Sequence, residues 1–359
     1  MWTRQWRVAI AASAVGVLFA GLVSLGIGEI ALRLVHLVRD GIPFTETPGA
    51  AGAITLDPSL GWRATANYSR ELENTTKQGA VYRVHRSQKE FGFRSFGNPR
   101  APGMKLLVIG DSYTQAAAVS DDNTYHALLG QMLGMEVFAY GAGGYGTLQE
   151  YLVLDEVVDH IRPSMLLWQF CSNDFINNSH ELEVASTLNN NGWTRPYWEN
   201  GAIVLRSPKP TSAQMRDWIQ RHSRFLYFLM SRIDRLGAHV RPESVERAIE
   251  REGVDHAGFA RAIGVTDTLM GLVRARVGSI PMYAFNCDRY EPYTTAWEHI
   301  ARRHNIPFWR DVGQSVDEAW KEGQDVLASS DGHWNEHGHA LIAQKLAKHL
   351  QRSRYIAAQ

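Results

Sequence analysis

Hydrophobic and polar positions divide this chain into three kinds of stretch. The first is a long uncharged run from Val8 to Gly28. A run of that length crosses a hydrocarbon layer of about 30 Å as a helix. Arg4 and Arg7 precede it, and Trp2 and Trp6 stand where interfacial aromatics gather. A cleaved signal peptide would have a shorter apolar core of about 7–15 residues, ending in a small-residue cleavage site. Here the run is longer, and "GIGEIALRLV" continues it as amphipathic helix, so an uncleaved anchor is expected. Arg33 and Arg39 follow the run, which leaves the positive charge nearly even on its two sides. Signal-anchor logic then places the large C-terminal part outside the cytoplasm.

The second kind of stretch, residues 41–103, lacks helical periodicity and is rich in Gly, Pro, Thr and Asn. "ITLDPSLGWR", "AVYRVHR" and "EFGFRSFG" predict short strands and turns. The third kind is regular. "MKLLVIG" (104–110), "MEVFAY" (135–140), "SMLLWQF" (164–170), "SIPMYAF" (279–285) and "IPFW" (306–309) are continuous apolar runs, as expected of strands buried on both faces of a parallel sheet. Between them, Tyr125, Leu128, Leu129 and Met132 recur at helical spacing, as do "TLQEYLVLDEVVDH", residues 259–276, "AWEHIARRH" and the C-terminal "HALIAQKLAKHL". Strands alternating with helices predict an α/β fold with a mostly parallel sheet and helices on both faces. Residues 175–258 interrupt the rhythm. They carry an Asn200-Gly201 hairpin signal and a helical segment with Met215, Trp218, Phe225 and Leu229.

The expected organisation is a tail over 1–7, a transmembrane anchor over 8–28, and a juxtamembrane and β-rich linker module over 29–103. A main domain over 104–352 follows, with 175–258 as an insertion or lid. Lys and Arg balance Asp and Glu at 37 each, so no global field favours nucleic acid. The two cysteines, Cys171 and Cys287, allow neither a disulfide framework nor a Cys-rich zinc site. Both follow expected strands, so a single bridge and two free thiols both stay open. Eleven tryptophans is a high count. Trp193, Trp198 and Trp334 lie near motif or insertion segments, where core packing competes with sugar stacking.

Chemistry-bearing motifs follow the strands, at the sheet end where ligands bind in such folds. "GDSYT" places Ser112 after the first. "GAGGYGT" follows the second and matches a dinucleotide fingerprint through Gly141, Gly143 and Gly146. That fingerprint should follow the opening strand, with an acidic residue about 20 positions on. Here the next strand ends in Gln169, Phe170 and Cys171, and Asp174 lies too far on. The glycines suit a loop whose backbone N–H groups approach a reacting oxygen closely. "CSNDF" places Asn173 after the third strand. "DGHWNEHGH" then holds Asp331, His333, His337 and His339, with Asn335 as expected cap of the last helix. Zinc would need three protein ligands plus water, and no other Cys/His cluster supplies them. No metal and no cofactor is expected.

In order, "GDSYT", "GAGGYGT", "CSNDF" and "DGHWNEHGH" resemble the SGNH hydrolase superfamily, also called GDSL esterases and lipases, over residues 104–352. The resemblance implies a three-layer α/β/α, flavodoxin-like fold and acyl transfer without a cofactor. It makes Ser112 the nucleophile, His333 the base and Asp331 its partner. The oxyanion hole would be the N–H of Ser112, the N–H of Gly144 and the side chain of Asn173. Gly143 and Gly146 are the alternative glycines. Tyr113 stands where the family name has leucine, and Cys171 where glycine is usual. Asp331 and His333 are one residue closer than usual, which leaves Asp311 or the backbone as other partners for the base. The anchor and upstream β module resemble bacterial membrane-bound members of the superfamily. The implied substrate is an acyl ester, acetyl foremost, on a small molecule or a cell-surface glycan. An O-acetyltransferase of extracytoplasmic polysaccharide, or a non-catalytic glycan-binding or assembly module, are the other readings.

Overall fold

The computed structural model describes residues 4–40, 42–45, 52–209, 212–240, 244–329 and 332–353. Two compact units share the chain: residues 1–56 with 211–241, and residues 57–210 with 242–359. In chain order the first helix is α1 (Arg4–Asp40), then come strands β1 (Ile54–Asp57), β2 (Gly61–Ala64), β3 (Ser69–Thr75), β4 (Val81–Ser87) and β5 (Ser95–Phe96). The regular alternation follows as β6 (Lys105–Gly110), α2 (Ser112–Gln115), α3 (Tyr125–Leu133), β7 (Glu136–Gly141), α4 (Thr147–Ile161) and β8 (Met165–Phe170). The excursion holds α5 (Asn173–Asn177), α6 (His180–Ala185), β9 (Arg195–Glu199), β10 (Ala202–Arg206), α7 (Ala213–His222), α8 (Arg224–Val240) and α9 (Val245–Glu252). The chain closes with α10 (Ala257–Val277), β11 (Met282–Asn286), α11 (Tyr293–Arg303), β12 (Phe308–Trp309), α12 (Asp311–Lys321) and α13 (Glu336–Arg352).

The main sheet runs β12-β11-β8-β6-β7-β5. Its strands are parallel except β5, which pairs antiparallel with β7. Leu106 to Ile109 and Met165 to Trp168 are fully buried, which is why these strands read as unbroken apolar runs. Helices α3, α12 and α13 supply Leu129, Val312, Val316, Ile342 and Leu346 to the core on one face. Helix α4 buries Val153, Leu154, Val157 and Ile161, and packs with α10. The result is the expected mostly parallel α/β sheet between helical layers. Chain order reverses at β6, between β7 and β8, so the carboxyl ends of β6 and β8 form the crevice where such sheets bind ligands.

Two details differ from the sequence pattern. The sheet's edge strand β5 lies upstream of Met104, in the stretch expected to be a separate module. The helical segment near Trp218 is two helices, because Ser223 between them is extended (φ −136°, ψ 112°). The hairpin signal holds: β9 and β10 pair through Asn200 and Gly201, both with positive φ, as a tight primed turn requires. Helix α1 contains a span, Ala11–Arg39, long and apolar enough to cross a membrane by length and composition, and none of its most apolar window is buried.

Candidate active site

Strand β6 ends in Gly110, and a Cβ there would collide with the Gln169 and Thr114 side chains. The chain turns at Asp111, whose Oδ1 caps α2 by accepting the Tyr113 N–H (3.0 Å), leaving Ser112 as the first residue of that helical turn. From β8, the buried Gln169 Oε1 accepts three bonds from this loop: the N–H groups of Asp111 and Thr114 (3.2 Å each) and the Thr114 hydroxyl (2.9 Å). Burial pushes the Asp111 carboxyl up, against the opposing pull of the Tyr113 N–H and His333. Burial also drives Glu150 and Asp174 well above the carboxylate range.

His333 Nε2 lies 2.7 Å from Ser112 Oγ, although 221 residues separate them. The imidazole packs on Tyr113 at 4.4 Å between ring centroids. Its backbone is fixed from both sides. The Ala328 N–H donates to His333 O (2.8 Å), while Ser329 N–H donates to Thr75 O (2.8 Å) and Lys77 N–H to Leu327 O (2.9 Å). The far end of β3 thus braces the loop that carries His333. Asn335 caps α13 by accepting the Gly338 N–H (3.1 Å), as the sequence predicts, and donates to Asp325 O (2.9 Å). The other two histidines of the cluster point elsewhere. His337 Nδ1 lies 3.2 Å from Asp325 O, and the buried His339 accepts the Tyr125 N–H at Nδ1 (3.0 Å). Burial holds His339 well below the usual imidazole range, in keeping with an accepting, neutral ring.

Asp331 lies outside the described residues. The alternative Asp311 meets His349 Nε2 (2.8 Å) and Lys345 Nζ (3.1 Å).

The glycine loop approaches Ser112 from β7. A Cβ on Gly141 would strike the backbone of Asp111 and Gln115, so this glycine lets β7 and α2 touch. Gly144 has φ +73°, a region that favours glycine, and with Gly143, Ser112 and His333 it lines one cavity. Gly146 caps α4 and packs against Asn177 and Asn178, away from that lining. Trp62 Nε1–H donates to Gly143 O (3.2 Å), and Arg195 Nη1–H donates to Gly144 O (2.8 Å). A planar trans peptide points its N–H opposite to its C=O, so Trp62 turns the Gly144 N–H away from itself. Arg195 is fully buried, lies 4.8 Å over the Trp62 ring and pairs with the equally buried Glu183 at 3.0 Å. Burial raises Glu183 to about 7, with Arg195 opposing. Asn173 opens α5; its Nδ2 donates to Asn177 Oδ1 (3.0 Å) and more loosely to Tyr145 O (3.4 Å).

A cavity of about 490 Å³ lies over Ser112 and His333. Asparagine amides at 173, 177 and 189–191 line it, with carboxyls at Glu246, Glu250 and Asp288 and rings at Tyr290 and Tyr293. Burial raises Asp288 to about 6, restrained by the Ser172 hydroxyl and N–H that it accepts. Cys171 and Cys287, side by side after neighbouring strands β8 and β11, form a disulfide with Cα atoms 5.3 Å apart. Trp193 and Trp334 are buried, against Trp62 and Tyr113 respectively, so their rings serve packing rather than a sugar platform.

Sequence reasoning missed Gln169, Trp62 and Arg195. Gln169 left a signal, a lone amide in an apolar strand. Trp62 and Arg195 left none, because they act across 81 and 51 residues.

No family model matches the chain, and no curated protein matches it in sequence. Among solved structures, it is similar to a lipase/acylhydrolase from Enterococcus faecalis (12% identity, TM-score 0.38, 69% of this chain and 95% of that one). It is also similar to the acetylxylan esterase Axe2 from Geobacillus stearothermophilus (14%, 0.38, 70% and 96%). A third is the psychrotrophic esterase EstA from Pseudoalteromonas (10%, 0.38, 69% and 97%). Likenesses this distant leave the reading of the site to its own geometry.

Proposed function

We propose that the protein is a membrane-anchored serine esterase of the SGNH type that hydrolyses acyl, foremost acetyl, esters of a glycan. The observation that carries the reading is the 2.7 Å approach of His333 Nε2 to Ser112 Oγ at the ligand-binding end of the sheet. His333 takes the Ser112 proton as Oγ attacks the ester carbonyl. The oxyanion is received by the N–H groups of Ser112 and Gly144 and by Asn173 Nδ2, whose loose bond to Tyr145 O is the one exchanged. His333 returns the proton to the departing alcohol, and an acyl-enzyme remains. Water, deprotonated by His333, then releases the acid and restores Ser112. Asp331 is assigned as the group that orients His333.

The polar, amide-rich cavity supports a hydroxylated substrate. The exposed apolar α1 supports the membrane anchor, and the disulfide supports an oxidising, extracytoplasmic setting for the catalytic unit.

The test is turnover of an aryl acetyl ester by the purified full chain in detergent, beside Ser112→Ala and His333→Ala. Each variant is expected to lose about 10³-fold or more in kcat. Activity that survives both changes would sink the mechanism. Adding an acetylated sugar with an acceptor sugar separates hydrolysis from transfer: release of acetate supports the esterase, and acetyl moved to the acceptor supports the O-acetyltransferase.

A further inference from the structure

Helices α7 and α8 form a hairpin in the smaller unit, clipped where Arg216 Nη1 and Nη2 each meet Asp234 at 2.8 Å. The hairpin is fastened to α1 at one level. Glu29, the first charge after the long apolar run, accepts the N–H groups of Arg224 (3.0 Å) and Phe225 (2.8 Å) and the Ser223 hydroxyl (2.7 Å). A carboxylate there satisfies the open N–H groups at the start of α8 and complements its dipole. Beside it, a Cβ on Gly28 would lie 2.8 Å from the Phe225 ring, so the glycine admits that ring against α1.

The hairpin also carries exposed apolar side chains. Met215 is 59% exposed and Trp218 53%, one helical turn apart on α7, and Ile233 on α8 is 67% exposed. Phe228 and Leu229 join them, with Arg232 stacked 5.0 Å over the Phe228 ring. Residues 211–241 hold six arginines against two aspartates. A tryptophan, aliphatic side chains and an excess of arginine are what an amphipathic helix presents to an anionic bilayer surface. Helix α1 is likewise apolar and exposed on both sides of Glu29, at Ile27 and Ile30.

We propose that the α7–α8 hairpin lies in the headgroup region of the bilayer that α1 crosses, its exposed apolar side chains at the acyl boundary and the exposed Arg221 and Arg232 among anionic headgroups. The proposal rests on α1 being a membrane span. The chain then meets the membrane twice, at its N-terminus and again roughly 180 residues later, through a segment that interrupts the catalytic unit.

The test uses the full chain in vesicles of phosphatidylcholine and phosphatidylglycerol. A nitroxide is attached at Leu18→Cys in α1, at Trp218→Cys or Ile233→Cys in the hairpin, or at the exposed Gln131→Cys of the other unit. The native cysteines are paired and do not react. Circular dichroism checks that each labelled protein is folded. Collisions with oxygen report lipid exposure, and collisions with a water-soluble nickel chelate report aqueous exposure. The expected result is a deep label at 18, and labels at 218 and 233 that are shallower, oxygen-accessible and several-fold protected from nickel relative to 131. Labels at 218 and 233 as aqueous as 131, with 18 in lipid, overturn the hairpin proposal alone. Labels there shielded from both reagents also overturn it, because protein would then cover the face. An aqueous label at 18 removes the anchor and the proposal together.

Discussion

The loop that carries Ser112 and the loop that carries His333 are held in opposite ways. Ser112 is supported from beneath, by Gln169 of the adjacent core strand, within one βαβ rhythm. His333 is supported from outside, by backbone bonds to the end of β3, far upstream of the sheet. The glycine loop sides with His333, since Trp62, also upstream, grips it. The difference teaches that the region before β6 braces the candidate site, although it adds only one short edge strand to the sheet. It contacts two of the three loops that meet at Ser112.

Substitutions can probe each support. Gln169→Leu keeps volume but orphans two buried N–H groups, so it should lower unfolding free energy by about 2–5 kcal/mol in denaturant titration. A smaller loss would mean that the nucleophile loop has other support. Asp288, over the same end of the sheet, gives a pH test. Its folded pKa of about 6 exceeds the ordinary carboxylate value, so its favourable contribution is full below about 4 and disappears as pH rises through 6. At 1.36 kcal/mol per unit this is at most about 3 kcal/mol. Asp288→Asn should therefore flatten stability between pH 4 and 6.5 relative to wild type, and parallel curves would rule this out.

On the base side, Asn335→Ala removes the cap of α13 and a bond to Asp325 O. The expected cost is about 1–2 kcal/mol of stability, with little change in kcat, because the bridge between Ala328 and His333 persists. A kcat loss as large as that of His333→Ala would show that the cap, not β3, positions the base. Trp62→Phe is the finest probe. It keeps an aromatic ring beside Arg195 but frees the Gly143 carbonyl, and should lower kcat about tenfold, or 1.4 kcal/mol, with KM nearly unchanged. An equal rise in KM would mean that Trp62 shapes binding rather than the oxyanion peptide.

Local pattern carried the sheet and the motif positions into view. Strands β6, β7 and β8 are legible because burial on both faces leaves unbroken apolar runs, and Ser112, Gly144 and Asn173 follow their ends. The Asn335 cap was legible for the same reason, since its partner is three residues away. What stayed hidden acts at long range. A Trp62 side chain on a carbonyl 81 residues later leaves no period in the sequence. For Trp193 and Trp334, where core packing competed with sugar stacking, burial decides for packing. The helical segment around Trp218 was legible as helix, but periodicity alone could not tell that Met215 and Trp218 are exposed while Ile219 is buried.

The Cys171–Cys287 bridge has a topological consequence. It closes the chain between two neighbouring strands, and everything in the excursion, hairpin included, lies within the closed ring. A protease that cuts anywhere in that ring opens it without dividing the molecule. The nicked protein should run intact on a non-reducing gel and separate into two pieces only once a thiol reductant is added. The excursion can thus be severed from its own sequence neighbours while β8 and β11 stay covalently joined.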